Sequence, residues 1–372
     1  MHLLVTTDTV GGVWTYAREL VTEMSRRGIR VTLVSFGEIP GPQQTTWMEG
    51  LFGLDYRPTA FRLEWMRDSE DDLAASAEYL LAIVNEVKPD LLHLSQFYYG
   101  HLKCAQPKIV VAHSDIVSWW QAVHKTGPRQ EKDKWMRWYR TMVSRGLEGA
   151  SAVVAPSQWM LTSLTENYIR PRLASVIYNG RTPGLFDPYL SKEDYAVSVG
   201  RIWDFGKNAA LLRRIDSPLP IFLAGSNHEP SGGGITGPEL AEGPTGGLHL
   251  KGVQTESQLR QLYSRAAIYI ATSQYEPFGL APLEAAFSRC AILASDIPSF
   301  REVWGDTACY FRSNDPESLE DALRQLHSDP ALCATHGQLA YQRASQRFTS
   351  HRMAEDYLNL YEALIPAGVR VA

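Results

Sequence analysis

The segment from Glu276 to Glu284, EPFGLAPLE, holds the residues best suited to binding chemistry. The two glutamates flank Gly279 and Pro282, which are typical of a loop that leads into a helix. The start of a helix offers free N–H groups to a phosphate, and carboxylates accept hydrogen bonds from paired sugar hydroxyls. The alternative is that Glu276 is a solvated loop residue and that Glu284 only favours the helix dipole.

Two cations, Arg201 and Lys207, follow a predicted strand at 196–199, and Lys207 is predicted to stand at a helix start. A guanidinium group contacts two oxygens at once and an ammonium group adds a point charge, a combination that suits a diphosphate. Taken alone, the pair is also compatible with solvated surface cations. Together with the two glutamates, it predicts a site for a ligand that carries phosphate and sugar groups.

Gly11 and Gly12 lie between the first predicted strand, 2–6, and a predicted helix, 13–27. Two glycines allow a ligand to approach the backbone closely, and the helix start again favours an anion. The spacing is not that of the G-x-G-x-x-G fingerprint, which argues against an NAD-type site. An ordinary tight turn between strand and helix is the alternative.

Apolar, β-branched runs alternate with helical patterns along the chain, which predicts an α/β protein with parallel sheets covered by helices. Strands are predicted at 2–6, 29–36, 91–94, 108–112, 152–155, 175–178, 196–199, 221–224, 248–251, 268–271, 291–294 and 309–311. Helices are predicted at 13–27, 71–87, 132–147, 159–167, 256–265, 280–288, 316–327 and 352–364. Parallel sheets bind ligands at the carboxyl ends of their strands, so we expect the two sheets to face a central cleft.

A stretch rich in Gly, Pro and Asp, 178–194, separates the two series of strands and is interpreted as an interdomain linker. The predicted domains are 1–183 and 184–350, followed by a C-terminal helix within 351–372. A second loop, 231–247, is rich in glycine and is expected to be exposed and flexible.

The composition is that of a globular protein, with 372 residues of which 44% are hydrophobic and 10% aromatic. A net charge of -5 argues against general nucleic-acid binding. No apolar run reaches the roughly 18 residues of a membrane span, and the first residues do not resemble a signal peptide, so a soluble, cytoplasmic protein is expected. Four scattered cysteines without CxxC predict neither disulfides nor a zinc site.

These motifs resemble the retaining glycosyltransferases of family four, whose GT-B fold consists of two Rossmann-like domains. The resemblance covers nearly the whole chain. It is carried by GGVWTYARELV, VVAHSD, VVAPS, YNG, VGRIWDFGKN, YEPFGLAPLE with its E-x7-E spacing, and SDIPSFREVWGD. It implies that the first domain takes the acceptor, that the second binds the nucleotide-sugar, and that the C-terminal helix packs back on the first domain.

The resemblance also implies roles for single residues of the donor site. Arg201 and Lys207 match residues that neutralise the diphosphate, and Glu276 matches a carboxylate that holds donor-sugar hydroxyls. Phe278, Gly279 and Leu280 match the positions whose backbone N–H groups lie nearby. Glu284 matches a residue that binds the ribose.

Three further positions follow from the same resemblance. The loop with Gly11 and Gly12 would approach the diphosphate, the backbone near Val253 would contact the base, and His113 would lie near the reacting sugar. A satisfied structural histidine is the alternative for His113. The sequence departs from the family at two places: the usual His-Asp pair has Ser114 inserted before Asp115, and Arg181 replaces a small apolar residue.

The expected activity is metal-independent, retaining transfer from a nucleotide-sugar, with a UDP-sugar favoured, to a sugar or glycoconjugate acceptor. No cofactor is expected, and no D-x-D sequence of the kind used to hold a metal occurs in the chain. An epimerase or hydrolase of nucleotide-sugars is the first alternative. A sugar-binding protein without catalytic activity is the second.

Trp119 and Trp120 are predicted to shape the acceptor site, because indole faces stack on sugar rings and both residues closely follow His113. The segment 125–145 carries seven Lys and Arg residues against two acidic ones, interleaved with aromatic residues. It predicts attraction of an anionic acceptor or weak contact with an anionic membrane surface. The alternative is an amphipathic helix with its aromatic residues in the core and a solvated cationic face.

Overall fold

The computed structural model describes residues 1–125, 133–227 and 247–365 of the chain. The chain divides into two compact units, one made of Met1–Gly180 with Ser350–Ala372 and the other of Arg181–Thr349. The predicted boundary after residue 183 lies slightly beyond this division. Most of the loop predicted at 231–247 lies outside the described residues.

The first unit is built on a parallel sheet of seven strands in the order β3-β2-β1-β4-β5-β6-β7. The strands are β1 His2–Asp8, β2 Arg30–Phe36, β3 Leu54–Pro58, β4 Leu91–Leu94, β5 Lys108–Val111, β6 Ala152–Ala155 and β7 Ala174–Val176. Its central strands are buried on both faces, as their continuous apolar runs predict.

Helices cover both faces of this sheet and form two hydrophobic cores. They are α1 Gly12–Arg26, α2 Pro42–Thr45, α3 Glu70–Val87, α4 Ile116–His124, α5 Lys134–Gly149, α6 Gln158–Asn167 and the C-terminal helix Ser350–Leu364. The C-terminal helix packs against α1, with Tyr357 and Tyr361 fully buried.

The second unit has a parallel sheet of six strands in the order β10-β9-β8-β11-β12-β13. The strands are β8 Glu193–Val199, β9 Ile221–Ala224, β10 Leu248–Gly252, β11 Ala266–Ala271, β12 Ala291–Ser295 and β13 Cys309–Phe311. The helices are α7 Glu256–Arg265, α8 Leu280–Phe287, α9 Pro298–Trp304, α10 Pro316–Ser328 and α11 Pro330–Arg347, so the C-terminal helix is α12. The α/β class with two parallel sheets is confirmed.

Several local details differ from the sequence-based prediction; helices α2, α4 and α9, for example, were not predicted. Strand β3 was not predicted, because it is a half-exposed edge strand without a clear apolar pattern. Helix α11 was not predicted either, because it packs through small residues such as Gly337, Ala340 and Ala344 rather than through large apolar ones. The helix expected to start at Lys207 is a short 3₁₀ helix, Ala209–Arg214.

The strand order of each sheet reverses at one point, between β1 and β4 in the first unit and between β8 and β11 in the second. Connections leave in opposite directions on either side of such a point, so a crevice opens at the carboxyl ends of the two strands. The loops after β1, β4, β8 and β11 therefore line the two positions where open α/β sheets bind ligands.

Within residues 1–125, 133–227 and 247–365, no helix is both long and apolar enough to cross a membrane. The expected cytoplasmic location stays a prediction.

Candidate donor site in the second unit

The loop after β8 is shaped by the buried carboxylate of Asp204. Arg201 donates a hydrogen bond of 2.6 Å to one oxygen of this carboxylate, and the backbone N–H of Gly206 donates one of 2.8 Å to the other. Only 6% of Asp204 is exposed, so a buried carboxylate stabilises the loop after β8 through these two hydrogen bonds. The sequence analysis missed Asp204, although a carboxylate three residues after an arginine was a signal available to it.

The loop after β11 is hydrogen-bonded to the loop after β8. Thr272 donates from its hydroxyl to the backbone oxygen of Lys207 over 2.8 Å. The backbone N–H groups of Gln274 and Tyr275 both donate to the carbonyl of Gly206, at 2.8 and 3.2 Å. These bonds hold Lys207 close to the residues that follow β11.

Lys207 and Glu276 form an ion pair between Nζ and Oε2, and the hydroxyl of Ser273 donates to the same carboxylate oxygen over 3.2 Å. The side chains keep 23% and 13% of their surface exposed, so both remain reachable for a ligand. One pocket is lined by Arg201, Lys207 and Glu276, together with Gly200 and residues of β8 and β11. The structure thus brings together three of the predicted donor-site residues at the strand-order reversal.

Gly279 stands immediately before α8, with a φ of 93° that other residues rarely adopt. A Cβ atom there would lie 2.8 Å from Pro282 Cγ and 3.3 Å from Glu276 Cγ, so only glycine fits without a shift. The ring of Phe278 is buried against Phe348, with ring centroids 5.4 Å apart. Phe278 therefore contributes to packing through its side chain, and only its backbone can serve a ligand.

Glu284 is the fifth residue of α8 and does not line the pocket of Arg201, Lys207 and Glu276. Its Oε1 atom lies 2.8 Å from Nε of Arg181, whose side chain is only 2% exposed. Arg181, which stands where the family has a small apolar residue, is thus a buried partner of Glu284, the predicted ribose-binding residue.

Val253 follows β10 and is 76% exposed, outside that pocket. Gly252 before it has a φ of 63°, a left-handed conformation that turns the chain after the strand.

Gly11 and Gly12 lie in the first unit, between β1 and α1. Gly11 has a φ of 70° and caps the helix, and Gly12 is the first residue of α1, one residue earlier than predicted. Because α1 follows β1 directly, its N-terminus lies at the strand-order reversal of this unit.

His113 follows β5 in the same unit. Its Nε2 atom is 3.2 Å from the hydroxyl of Ser95, at the end of β4, and its ring meets that of Tyr16 edge-on with centroids 4.6 Å apart. Burial lowers the pKa of His113 to about 3, so the imidazole is neutral at physiological pH.

A second histidine, His93, lies behind this position on β4. The hydroxyl of Tyr16 is 2.9 Å from His93 Nε2, and the hydroxyl of Tyr361 on α12 is 2.7 Å from Nδ1. Burial and the neighbouring His113 lower the pKa of His93 to about 3. The sequence analysis missed this network. It connects Tyr361 of the C-terminal helix, through His93, to Tyr16, whose ring contacts His113.

Asp115 caps the N-terminus of α4. Its Oδ1 atom accepts hydrogen bonds from the backbone N–H of Ser118 at 2.9 Å and from the hydroxyl of Tyr168 at 2.8 Å. Burial raises the pKa of Asp115 despite these bonds. Its position is that of a helix cap.

Trp119 and Trp120 lie on α4, where Trp119 is buried and Trp120 is partly exposed. Trp120 packs on His124, with ring centroids 4.2 Å apart. Of the two indoles, only that of Trp120 is accessible enough to offer a face to a ligand.

The basic segment 125–145 is described in part, because residues 126–132 lie outside the described residues. In the remainder, Met136, Tyr139 and Met142 of α5 are buried in the core. Trp135 stacks on Tyr139 and lies beneath the guanidinium of Arg67. Tyr139 is buried and Trp135 packs partly buried against the core, as the amphipathic-helix interpretation expects.

Two family models match the chain. Residues 10–183 match Glycosyltransferase Family 4, and residues 238–343 match Glycosyl transferases group 1. In the part of the chain that the structure describes, no group of three His, Cys, Asp or Glu side chains could hold a metal ion.

The chain is similar to a lipopolysaccharide core biosynthesis mannosyltransferase of Rhizobium leguminosarum bv. viciae, with 37% identity over 105 residues. That match covers 28% of this chain and 30% of the relative. An α-maltose-1-phosphate synthase of Mycolicibacterium smegmatis is 26% identical over 301 residues, which cover 72% of this chain and 75% of the relative.

Among solved structures, the complex of Anabaena Alr3699/HepE with UDP-glucose has a TM-score of 0.74 at 15% identity. The superposition covers 98% of this chain and all of that one, so the two share the GT-B fold. The family models, the relatives and the fold together support a glycosyltransferase of the family 4 type with the GT-B fold.

Proposed function

We propose that the protein transfers a glycosyl group from a nucleotide-sugar, preferably a UDP-sugar, to a sugar or glycoconjugate acceptor. The transfer retains the anomeric configuration and needs no metal ion. One observation carries the proposal: Arg201, Lys207 and Glu276 line one pocket at the strand-order reversal of the second sheet. Cations for a diphosphate and a carboxylate for sugar hydroxyls are the groups that a nucleotide-sugar requires.

The cations supply the main catalytic effect in this proposal. Departure of the nucleotide leaves negative charge on its diphosphate, and Arg201, Lys207 and the N-terminus of α8 stabilise that charge. Before the donor binds, the ion pair between Lys207 and Glu276 holds both side chains at the pocket. The diphosphate then competes for the ammonium group, while Glu276 accepts hydrogen bonds from the donor sugar.

The remaining predicted residues complete the donor site. Glu284 binds the ribose hydroxyls, the loop of Gly11 and Gly12 approaches the diphosphate, and the exposed backbone at Val253 contacts the base. His113 is neutral because burial lowers its pKa to about 3. It therefore serves the reacting sugar as a hydrogen-bonding group rather than as a cation.

Uridine is the base we expect, and the UDP-glucose named with the Anabaena structure supports this choice. The relatives named as a mannosyltransferase and a sugar-phosphate synthase support sugar transfer without agreeing on the sugar or the acceptor. A nucleotide-sugar epimerase or hydrolase is the competing function, and it differs in consuming the donor without an acceptor.

Thermal-shift measurements with UDP, GDP and ADP test the donor site. Ligand at a hundred times its Kd stabilises the folded protein by about 2.7 kcal/mol, so the matching nucleotide should raise the Tm clearly. Failure of all three nucleotides to shift the Tm would refute the proposal. Turnover of UDP-glucose without any added acceptor would favour the epimerase or hydrolase.

Metal independence is tested by adding EDTA to the transfer assay. The cations and the helix N-terminus take the place that a metal would otherwise have, so we expect the rate to stay within about twofold. Loss of activity that Mn²⁺ or Mg²⁺ restores would show that a metal site is required.

A further inference from the structure

Arg181 is the only arginine among the largest side chains that the described residues bury completely, with 1% of its surface exposed. Its backbone N–H donates a hydrogen bond of 3.0 Å to the carbonyl of Phe348. This bond fixes the backbone at the start of the second unit. Its guanidinium group lies 5.5 Å above the ring of Phe186. A charge at such a place is costly unless specific partners compensate it.

The compensating partners are two glutamates on different helices. Nε of Arg181 lies 2.8 Å from Oε1 of Glu284 on α8, and a terminal nitrogen lies 3.1 Å from Oε1 of Glu256 on α7. Arg260 pairs with the same oxygen of Glu256 at 2.7 Å. The planar guanidinium thus contacts both helices at once, which the single ammonium group of a lysine does less well.

The contact with Arg181 restricts the side chain of Glu284, which also interacts with the buried Tyr263. A glutamate side chain gives up rotamer freedom when it binds a ligand, and that loss weakens binding. A partner that already fixes the carboxylate removes part of this cost. Glu284 keeps 13% of its side chain exposed, and each of its oxygens has two acceptor positions.

We propose that Arg181 is a positioning residue for nucleotide recognition: it orients the carboxylate of Glu284 toward the two ribose hydroxyls of the donor. The proposal rests on the proposed function, in which Glu284 binds the ribose. It makes Arg181 a determinant of selectivity for ribonucleotides over nucleotides that lack those hydroxyls.

The test compares Kd values for UDP and for its 2′,3′-dideoxy analogue by calorimetry. In the wild-type protein, UDP should bind at least about tenfold more tightly, because hydrogen bonds to a charged group are among the strong ones. In Arg181→Met this ratio should fall to near one, with the affinity for the dideoxy analogue nearly unchanged. In Arg181→Lys, which keeps the charge without the forked geometry, the ratio should be intermediate.

Arg260→Met is the matched control, because Arg260 belongs to the same ion cluster and pairs with Glu256. It should keep the wild-type ratio. With a nucleotide-sugar donor, Arg181→Met should raise the donor KM by about tenfold and leave kcat within about twofold, since the residue does not touch the reacting atoms. If Arg181→Met does not fold, the test uses Arg181→Lys instead. A preference for UDP over the dideoxy analogue that is at least threefold lower than in the wild-type protein then supports the proposal.

An unchanged ratio in the Arg181 variants, or an equal fall in Arg260→Met, would overturn the positioning role. A wild-type protein that binds UDP and the dideoxy analogue equally would overturn it too. Both results leave transfer from a nucleotide-sugar standing, because nucleotide binding is still observed. Equal binding of the two nucleotides removes only the ribose-binding role of Glu284. Absence of binding by UDP, GDP and ADP to the wild-type protein is the distinct result that removes the proposed function itself.

Discussion

At the scale of single residues, Arg201 and Lys207 have similar surroundings. Each is a cation at the edge of the same pocket with a carboxylate partner, Asp204 for Arg201 and Glu276 for Lys207. Their partners hold them in place without burying them. Preplaced charge of this kind acts on a transition state without further rearrangement.

Arg201→Ala and Lys207→Ala should each lower kcat/KM at least tenfold, because each removes charge stabilisation that grows as the diphosphate departs. Steady-state kinetics measure the loss, and circular dichroism checks that the fold is retained.

Arg312→Ala is the control for this pair of variants. Arg312 also pairs with an aspartate three residues later, but it is 73% exposed and outside the pocket. Its loss should leave kcat/KM unchanged. Full activity in the Arg201 and Lys207 variants would remove both residues from the donor site.

The neutral state of His113 has a consequence for stability. Its pKa is about 3 in the folded protein and about 6.5 when exposed, so between these values the unfolded chain binds the extra proton. As the pH falls from 6.5 toward 3, the wild-type protein should lose up to about 1.4 kcal/mol per pH unit relative to His113→Asn. Above pH 7 the two stability curves should run parallel.

Urea unfolding of both proteins across this pH range measures the difference. Using the difference removes the opposing contribution of Glu64, whose pKa burial raises to about 7 and which loses stability as the pH rises. A constant difference between pH 4 and 7 would contradict the neutral state of His113, whose side chain is partly buried.

At the scale of elements, α12 is the part of the chain that completes the first unit. Its residues Met353, Tyr357 and Tyr361 are fully buried with the apolar face of α1. Tyr361 also bonds to His93 beneath the position of His113. The end of the chain therefore stabilises the strand ends that carry the predicted acceptor-side residues.

Tyr357→Ala should lower the free energy of unfolding by about 3 kcal/mol or more, because it leaves a cavity in the core between α12, α1 and the sheet. Urea unfolding measures the change. Asn359→Ala on the exposed face of the same helix is the control and should change stability by less than about 0.5 kcal/mol. Equal effects of the two substitutions would contradict this packing role.

At the scale of the whole molecule, the predicted residues divide between the two units. Arg201, Lys207, Glu276 and Glu284 belong to the second unit, whereas His113 and the two tryptophans of α4 belong to the first. This division leads us to expect that substitutions in one unit act on the donor and substitutions in the other act on the acceptor.

Trp120→Ala should raise the acceptor KM severalfold and leave nucleotide affinity unchanged, because an indole face that stacks on a sugar ring is lost from the first unit. Initial-rate kinetics with a varied acceptor, together with calorimetry for UDP, separate the two effects. Phe52→Ala, an exposed aromatic residue elsewhere in this unit, should change neither. An unchanged acceptor KM in Trp120→Ala would remove the stacking role.

Much of the architecture follows from local patterns. Alternating apolar runs and helical spacings predict most of the strands of both sheets, and the glycine before α8 is required by a positive φ and a close contact. The patterns fail where packing uses small residues, as in α11, or where a strand lies half-exposed at a sheet edge, as in β3. In both cases the stabilising contacts leave little hydrophobic periodicity.

Local sequence patterns are enough to predict the α/β class, the two series of parallel strands and the residue types at the strand ends. Which of those residues come into contact depends on the tertiary fold. Lys207 and Glu276 are 69 residues apart and Arg181 and Glu256 are 75 apart, yet each pair is in contact. Such pairs depend on how strands order in a sheet and how helices pack on it, and neither is encoded in local spacing. For the same physical reason, the pairing of Arg181 with Glu256 and Glu284 could be identified only from the fold.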